Sequence, residues 1–207
     1  MQQNRLTELF LSSKSSVGYY ENYCKYVTQV MGSLDWNAIA NVSECFFNAR
    51  QRGSTIFFIG NGGSAATASH FAQDLAEVGR KAKVKSFRTL SLTDNVPYIT
   101  AVGNDYGYDK VFSIQLTELF NPGDVLVAIS ASGNSPNVLD AVKYAKEKDG
   151  PTIGLVGFDG GKLAGLCDYV IHAVSSKGEY GPVEDIHMIL DHMITSYLTL
   201  TLQDGRD

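Results

Sequence analysis

Phe57–Glu77 reads FFIGNGGSAATASHFAQDLAE, and the order of residue types within it decides the fold. A short apolar run meets a glycine-rich corner, and the corner enters a segment with helical spacing. That is the junction of a buried strand with a following helix. Glycines let the backbone turn tightly and approach a ligand. The unpaired N–H groups at the start of the helix favour an anion there. Behind the corner, His70 and Asp74 stand four residues apart and so share one helix face.

The same junction recurs outward from this stretch. Strand candidates are residues 54–60, 88–92, 124–130, 151–157 and 168–174, all continuously apolar, as strands covered on both faces should be. Helical stretches at 64–78, 108–120, 136–148, about 161–166 and 183–202 alternate with them. Two helical segments come first, Arg5 to Met31 and Trp36 to Arg50, the second closed by Gly53. This order predicts an α/β fold, doubly wound and Rossmann-like, with a parallel five-stranded sheet flanked by helices. Residues 1–207 read as a single domain, with 1–52 a helical extension and 53–207 the α/β core.

A second corner, ISASGNSPNV, follows the 124–130 strand. Ser130, Ser132 and Ser135 offer hydroxyl donors, and Pro136 suits the first helical turn. The residues alone leave ordinary N-caps open. Two such corners, each after a buried strand, point instead to a small phosphorylated ligand. Neither corner carries the dinucleotide fingerprint or a GK[ST] sequence, which argues against a nucleotide.

Glu184 and His192 lie eight apart on the last predicted helix, near one face, with His187 directed elsewhere. Together with His70 and Asp74 they suit either a divalent metal or proton transfer. Asn104 and Asp105 sit beside glycines between two elements. GFDGGKLA (157–164) reads as a structural turn, and the tyrosines 19, 20, 23 and 26 as packing against a partner helix.

The net charge is −5 with no basic stripe, which excludes a nucleic-acid backbone as the expected direct partner. The three cysteines, Cys24, Cys45 and Cys167, form no metal spacing and read as reduced thiols of a cytoplasmic protein. The N-terminal residues lack a signal-peptide pattern, and no apolar run is long enough to span a membrane.

GNGGSAATASHFAQDL, AVGNDYGYDKVFSIQL, PGDVLVAISASGNSPNVLDAVKYAKEK and EDIHMILDHMI resemble, in order and spacing, the SIS (sugar isomerase) domain of the phosphoheptose isomerases. The resemblance implies aldose–ketose isomerisation of sedoheptulose 7-phosphate through an enediol, in homotetramers with active sites built between subunits. It implies that Ser64, Ser130, Ser132 and Ser135 bind the sugar phosphate, with Ala131 in the same corner. Asn61, Gly62, Gly63, Asn104 and Asp105 would line the sugar site, and Glu184 would join them. His70, Asp74, Glu184 and His192 would hold zinc or another divalent metal, with Asp74 and His192 catalytic and no organic cofactor. The chain departs from the family pattern at several of these positions. Asp74 stands for a glutamate, Glu184 for a glutamine and Ala131 for a threonine. The acid expected before the last helix falls at Gly181, with Glu179 close by, and the nearest candidate for an expected arginine is Arg80. These departures keep open a non-catalytic sugar-phosphate binder or adaptor, of the kind that associates with the bacterial replication initiator, and an isomerase of another sugar phosphate.

Overall fold

The computed structural model describes residues 4–205. Five strands form one parallel sheet: β1 (Thr55–Gly60), β2 (Arg88–Ser91), β3 (Val125–Ser130), β4 (Thr152–Phe158) and β5 (Tyr169–Val174), in the order β2-β1-β3-β4-β5. Every expected strand is present to within a residue at either end. The order reverses between β1 and β3, and the crevice at such a reversal is where open α/β sheets bind ligands. Both serine corners open there.

The strands are apolar throughout because both faces are covered. Ile56 and Phe58 point into one core and Phe57 and Ile59 into the other. The first core is closed by α3 (Trp36–Arg52), α4 (Gly63–Ala82) and α9 (Tyr180–Gln203). The second is closed by α5 (Val96–Asp105), α6 (Ser113–Leu119), α7 (Pro136–Glu147) and the short α8 (Gly161–Ala164).

Three local expectations change. The first predicted helix is two helices, α1 (Arg5–Ser12) and α2 (Ser16–Gly32). Serines cause the break: the Ser13 hydroxyl donates to the Leu9 carbonyl at 2.6 Å, and Ser15 caps α2 by accepting from the Gly18 N–H. The expected helix over 108–120 is a 3-10 turn, Tyr108–Lys110, followed by α6. Asn104 and Asp105, expected in a connection, instead end α5. That helix was announced by Asn95, whose side chain accepts from the Tyr98 N–H at 3.2 Å, and by Pro97 in the first turn.

The N-terminal helices are latched to the core through Glu179, which is fully buried. It accepts from the Tyr26 hydroxyl, from the Ser176 N–H at 3.1 Å and from the Leu6 N–H at 3.3 Å. Tyr23 adds a hydrogen bond to Asp185 at 2.5 Å. Tyr23 and Tyr26 thus tie α2 to the start of α9, whereas Tyr19 packs on Phe10 of α1 and Tyr20 is exposed.

Candidate active site

The first corner turns at Gly62, whose φ of 54° and ψ of −124° suit glycine. Gly60 lets β1 end against the Ser64 backbone, where a Cβ would overlap. The second corner turns at Gly133 (φ 60°), packed against the Gly160 carbonyl so closely that no side chain fits. The 157–164 turn braces this corner from behind. The Gly157 N–H donates to Ala131 O at 3.0 Å, and the Leu163 N–H donates to Gly133 O at 2.9 Å. Its structural reading holds.

Between the corners lies a cavity of about 350 Å³. Asn61, Gly62, Gly63 and Ser64 line it from the first corner, and Ser130, Ala131, Ser132 and Ser135 from the second. Ser130 and Ser135 hydroxyls are 3.3 Å apart, and α4 and α7 both start at this wall. An anion there meets serine hydroxyls and helix N-termini and, among the described residues, no lysine or arginine. Asn137, absent from the sequence expectations, ties the corners together. Its side-chain amide and that of Asn61 exchange two hydrogen bonds of 2.9 Å, and Tyr108 donates to Asn61 at 3.1 Å. The pair is 76 residues apart in sequence, so no local pattern marks it.

Glu184 closes the cavity from α9, with its carboxylate against Gly63 at the start of α4. Burial, followed by repulsion from Asp185, raises its pKa. Asn104 and Asp105 are exposed, hydrogen-bonded to each other at 2.7 Å, and outside the cavity lining.

The second part of the site is a polar seam where α4 packs on α9. His70 and Asp74 from α4 meet Asp191 and His192 from α9, with one ligating atom of each within 4.8 Å of the others. The two imidazole rings lie 5.2 Å apart, edge to face. His70 Nδ1 is 2.7 Å from Asp191 Oδ2 and 3.9 Å from Asp74 Oδ2. Asp74 and His192 face a hollow that also includes Thr195 and Gln203.

One of the residue expectations needs amendment here. Among the described residues, Glu184 is not part of this cluster. Eight residues of helix separate it from His192 by about 12 Å along the axis, so a shared face does not make a shared site. Its place is taken by Asp191, which sequence reasoning missed. A signal existed: Asp191 falls within the buried stripe of α9, between Ile186, His187, Leu190 and Ile194, where an acid is costly unless it has a partner. Burial pushes the Asp191 carboxyl up to about 6, offset by its hydrogen bond to His70. His187 points away from the site, towards Val156 O of β4, and burial pulls its imidazole down to about 4. Of the other positions weighed, Glu179 serves the N-terminal latch, Gly181 lies beside Tyr23, and Arg80 pairs with Glu77 on the surface.

Residues 19–157 match the SIS domain family. A phosphoheptose isomerase of Aliarcobacter butzleri is 37% identical over 182 residues, 87% of this chain and 92% of that protein. One from Rhodospirillum rubrum is 42% identical over 158 residues, 76% of this chain and 82% of that protein. Among solved structures, a phosphoheptose isomerase from Neisseria gonorrhoeae superposes with a TM-score of 0.78 at 32% identity, covering 88% of this chain and 95% of that one.

Proposed function

The chain belongs to the SIS domain family and, within it, to the phosphoheptose isomerases; on that premise we propose that it interconverts sedoheptulose 7-phosphate and D-glycero-D-manno-heptose 7-phosphate at the site built by β1, β3, α4 and α9. The observation that carries this reading is the pairing of a cation-free, serine-lined anion cavity with an imidazole–carboxylate seam on the same helix. Ser64 and His70 are six residues apart on α4, roughly 9 Å along the axis. A seven-carbon chain has a contour length of roughly 9 Å at about 1.5 Å per bond. A phosphate held by the corners therefore leaves the carbonyl end of a heptose within reach of the seam.

The chemistry at that end is proton transfer at C1 and C2, matched by transfers at O1 and O2. A base takes a proton from C1 of the ketose, the electron pair forms a C1–C2 double bond, the carbonyl electrons move to O2, and O2 takes a proton to give the enediol. A proton returned to C2, with loss of the hydroxyl proton at O1, leaves the aldose. Asp74 and His192 share these transfers. Both border an open hollow, and an imidazole beside a carboxylate suits transfers in either direction near neutral pH. The phosphate grip holds the reacting carbons in place, so transfer becomes effectively intramolecular.

The seam also fits a divalent cation. Its donor set is two imidazoles and two carboxylates, and Asp191 Oδ1 is buried without a hydrogen-bond partner among the described residues, leaving negative potential behind the cluster. His70, Asp74 and His192 would hold such an ion, zinc being the natural candidate for these ligands. When bound, it polarises the sugar oxygens and stabilises developing negative charge.

Self-association belongs to the same reading. A hollow of about 570 Å³ between α3 and α9 is lined by Trp36, Ile39, Phe47, Met193, Ile194 and Tyr197. Trp36 and Tyr197 are more than half exposed. A homotetramer would cover this face and set α9 of one copy beside another. Among the described residues no helix is long and apolar enough to cross a membrane, and a cytoplasmic location fits a phosphorylated substrate.

The test is incubation with sedoheptulose 7-phosphate in deuterium oxide, with and without added zinc, followed by NMR. Deuterium at C2 of the aldose and appearance of the heptose 7-phosphate are expected. Binding of the sugar phosphate with no exchange under either condition would remove the isomerase reading and leave a sugar-phosphate binder.

A further inference from the structure

We propose that Asp191 is a positioning residue that holds His70 in the Nδ1–H tautomer, so that the ring lone pair is carried on Nε2. This rests on the reading of the α4–α9 seam as the reacting end of the site, and it assigns a role to a residue that the sequence expectations left without one.

The argument is geometric. Asp191 Oδ2 lies 2.7 Å from His70 Nδ1, the length of a strong hydrogen bond. The Asp191 side chain is fully buried, whereas 42% of the His70 side chain is exposed. The carboxylate is therefore withdrawn from solvent, while the ring it touches is partly open to it. A carboxylate accepts and does not donate when ionised, so it selects the protonated Nδ1. The neutral imidazole then has its lone pair on Nε2, the other side of the ring. Asp74 Oδ2, at 3.9 Å from Nδ1, is too far to compete for that proton.

Asp191 is itself held in place. Its backbone carbonyl accepts from the Thr195 hydroxyl at 2.8 Å, and its side chain sits among the apolar residues of the α9 stripe. A buried acid with one orphaned oxygen is a cost to the fold. A carboxylate behind a histidine that handles a metal or a proton fixes ring orientation and raises ring basicity, and this gives the cost a function. The i,i+4 row His187, Asp191, Thr195 places the acid opposite His70, one residue from His192, so one turn of α9 supplies both the support and its neighbour in the seam.

The experiment reads the tautomer directly. Protein labelled with 15N-histidine, metal-free and without substrate, is examined by long-range 1H–15N correlation at a pH above the histidine range. The expected result is Nδ1–H for His70 in the wild type. Asp191→Leu should move it to Nε2–H, and Asp191→Asn, which keeps an acceptor oxygen, should retain part of the Nδ1–H population. Zinc titrated alone should bind Asp191→Leu about 10–100-fold more weakly than wild type, with Asp191→Asn between the two. Thermal unfolding of each variant identifies any that has lost its fold, in which case Asp191→Asn carries the comparison. An Nε2–H ring in the wild type overturns the proposal, as does a folded Asp191→Leu with unchanged tautomer and affinity. Because the tautomer is read without sugar or metal, absence of isomerase activity leaves this test intact.

Discussion

The serine cavity and the α4–α9 seam lie along the same helix yet are built in opposite ways. The cavity is made of backbone: two strand-to-helix turns, glycines at positive φ, and hydroxyls beside helix N-termini. The seam is made of side chains that lie more than 100 residues apart in sequence, on two helices that meet only by packing. The difference separates binding from chemistry. An anion cradle of amides and hydroxyls grips any phosphate of suitable size, whereas proton transfer depends on where four side chains come to rest.

That separation can be broken most severely at the seam. His192→Ala should lower solvent deuterium exchange about 10²–10⁴-fold, the usual scale for losing a general acid or base, while the sugar phosphate still binds. Calorimetric binding beside NMR exchange checks it. Loss of binding together with exchange would mean that the two parts are not separate.

The cavity should fail differently. Gly133→Ala places a methyl group against the Gly160 carbonyl at a φ of 60°. The expected cost is about 2–4 kcal/mol of stability, with sugar-phosphate affinity at least tenfold weaker. Urea unfolding and phosphate titration measure both. An unchanged affinity would show that the second corner is not part of the grip.

A smaller effect sharpens the electrostatic side. Glu184 borders the anion cavity, so Glu184→Gln removes a negative charge from its wall. Inorganic phosphate should bind about fivefold more tightly, corresponding to about 1 kcal/mol of relieved repulsion. Weaker binding would indicate that Glu184 acts through a cation.

The smallest net effect is expected from pH, because two buried groups of α9 oppose each other. The His187 imidazole is depressed from 6.5 to about 4, so its contribution to stability is present above 6.5 and lost as pH falls towards 4. The Asp191 carboxyl is raised from 3.8 to about 6, so its contribution is present below 3.8 and lost as pH rises towards 6. In metal-free protein, His187→Gln should gain stability relative to wild type as pH drops through that window. Asp191→Asn should gain it as pH climbs. Urea unfolding across the range tests the opposed slopes, and parallel slopes would contradict the two burial arguments.

Much of this was legible before any coordinates. Gly53 ends α3 with φ 73°, as its place after a helical segment suggested. The apolar runs are the strands, and the serine corners open at the reversal of strand order. The helix α5 was missed although Asn95 and Pro97 signalled its start, because the sequence beyond them ends in glycines that read as a turn. The break between α1 and α2 was missed because the apolar spacing continues across it while the serine hydroxyls stop the helix.

The residues by themselves determined the strands, the turns and the anion-binding corners, because these follow from φ/ψ preferences, apolar runs and unpaired helix amides, all local properties. Only the tertiary structure decided that Asp191 rather than Glu184 joins His70, Asp74 and His192, and that Asn61 pairs with Asn137. A helix rotates about 100° per residue, so neighbours in sequence face different surroundings. Which of them meets another helix is set by how the whole molecule packs, and sequence spacing along one helix does not carry that information.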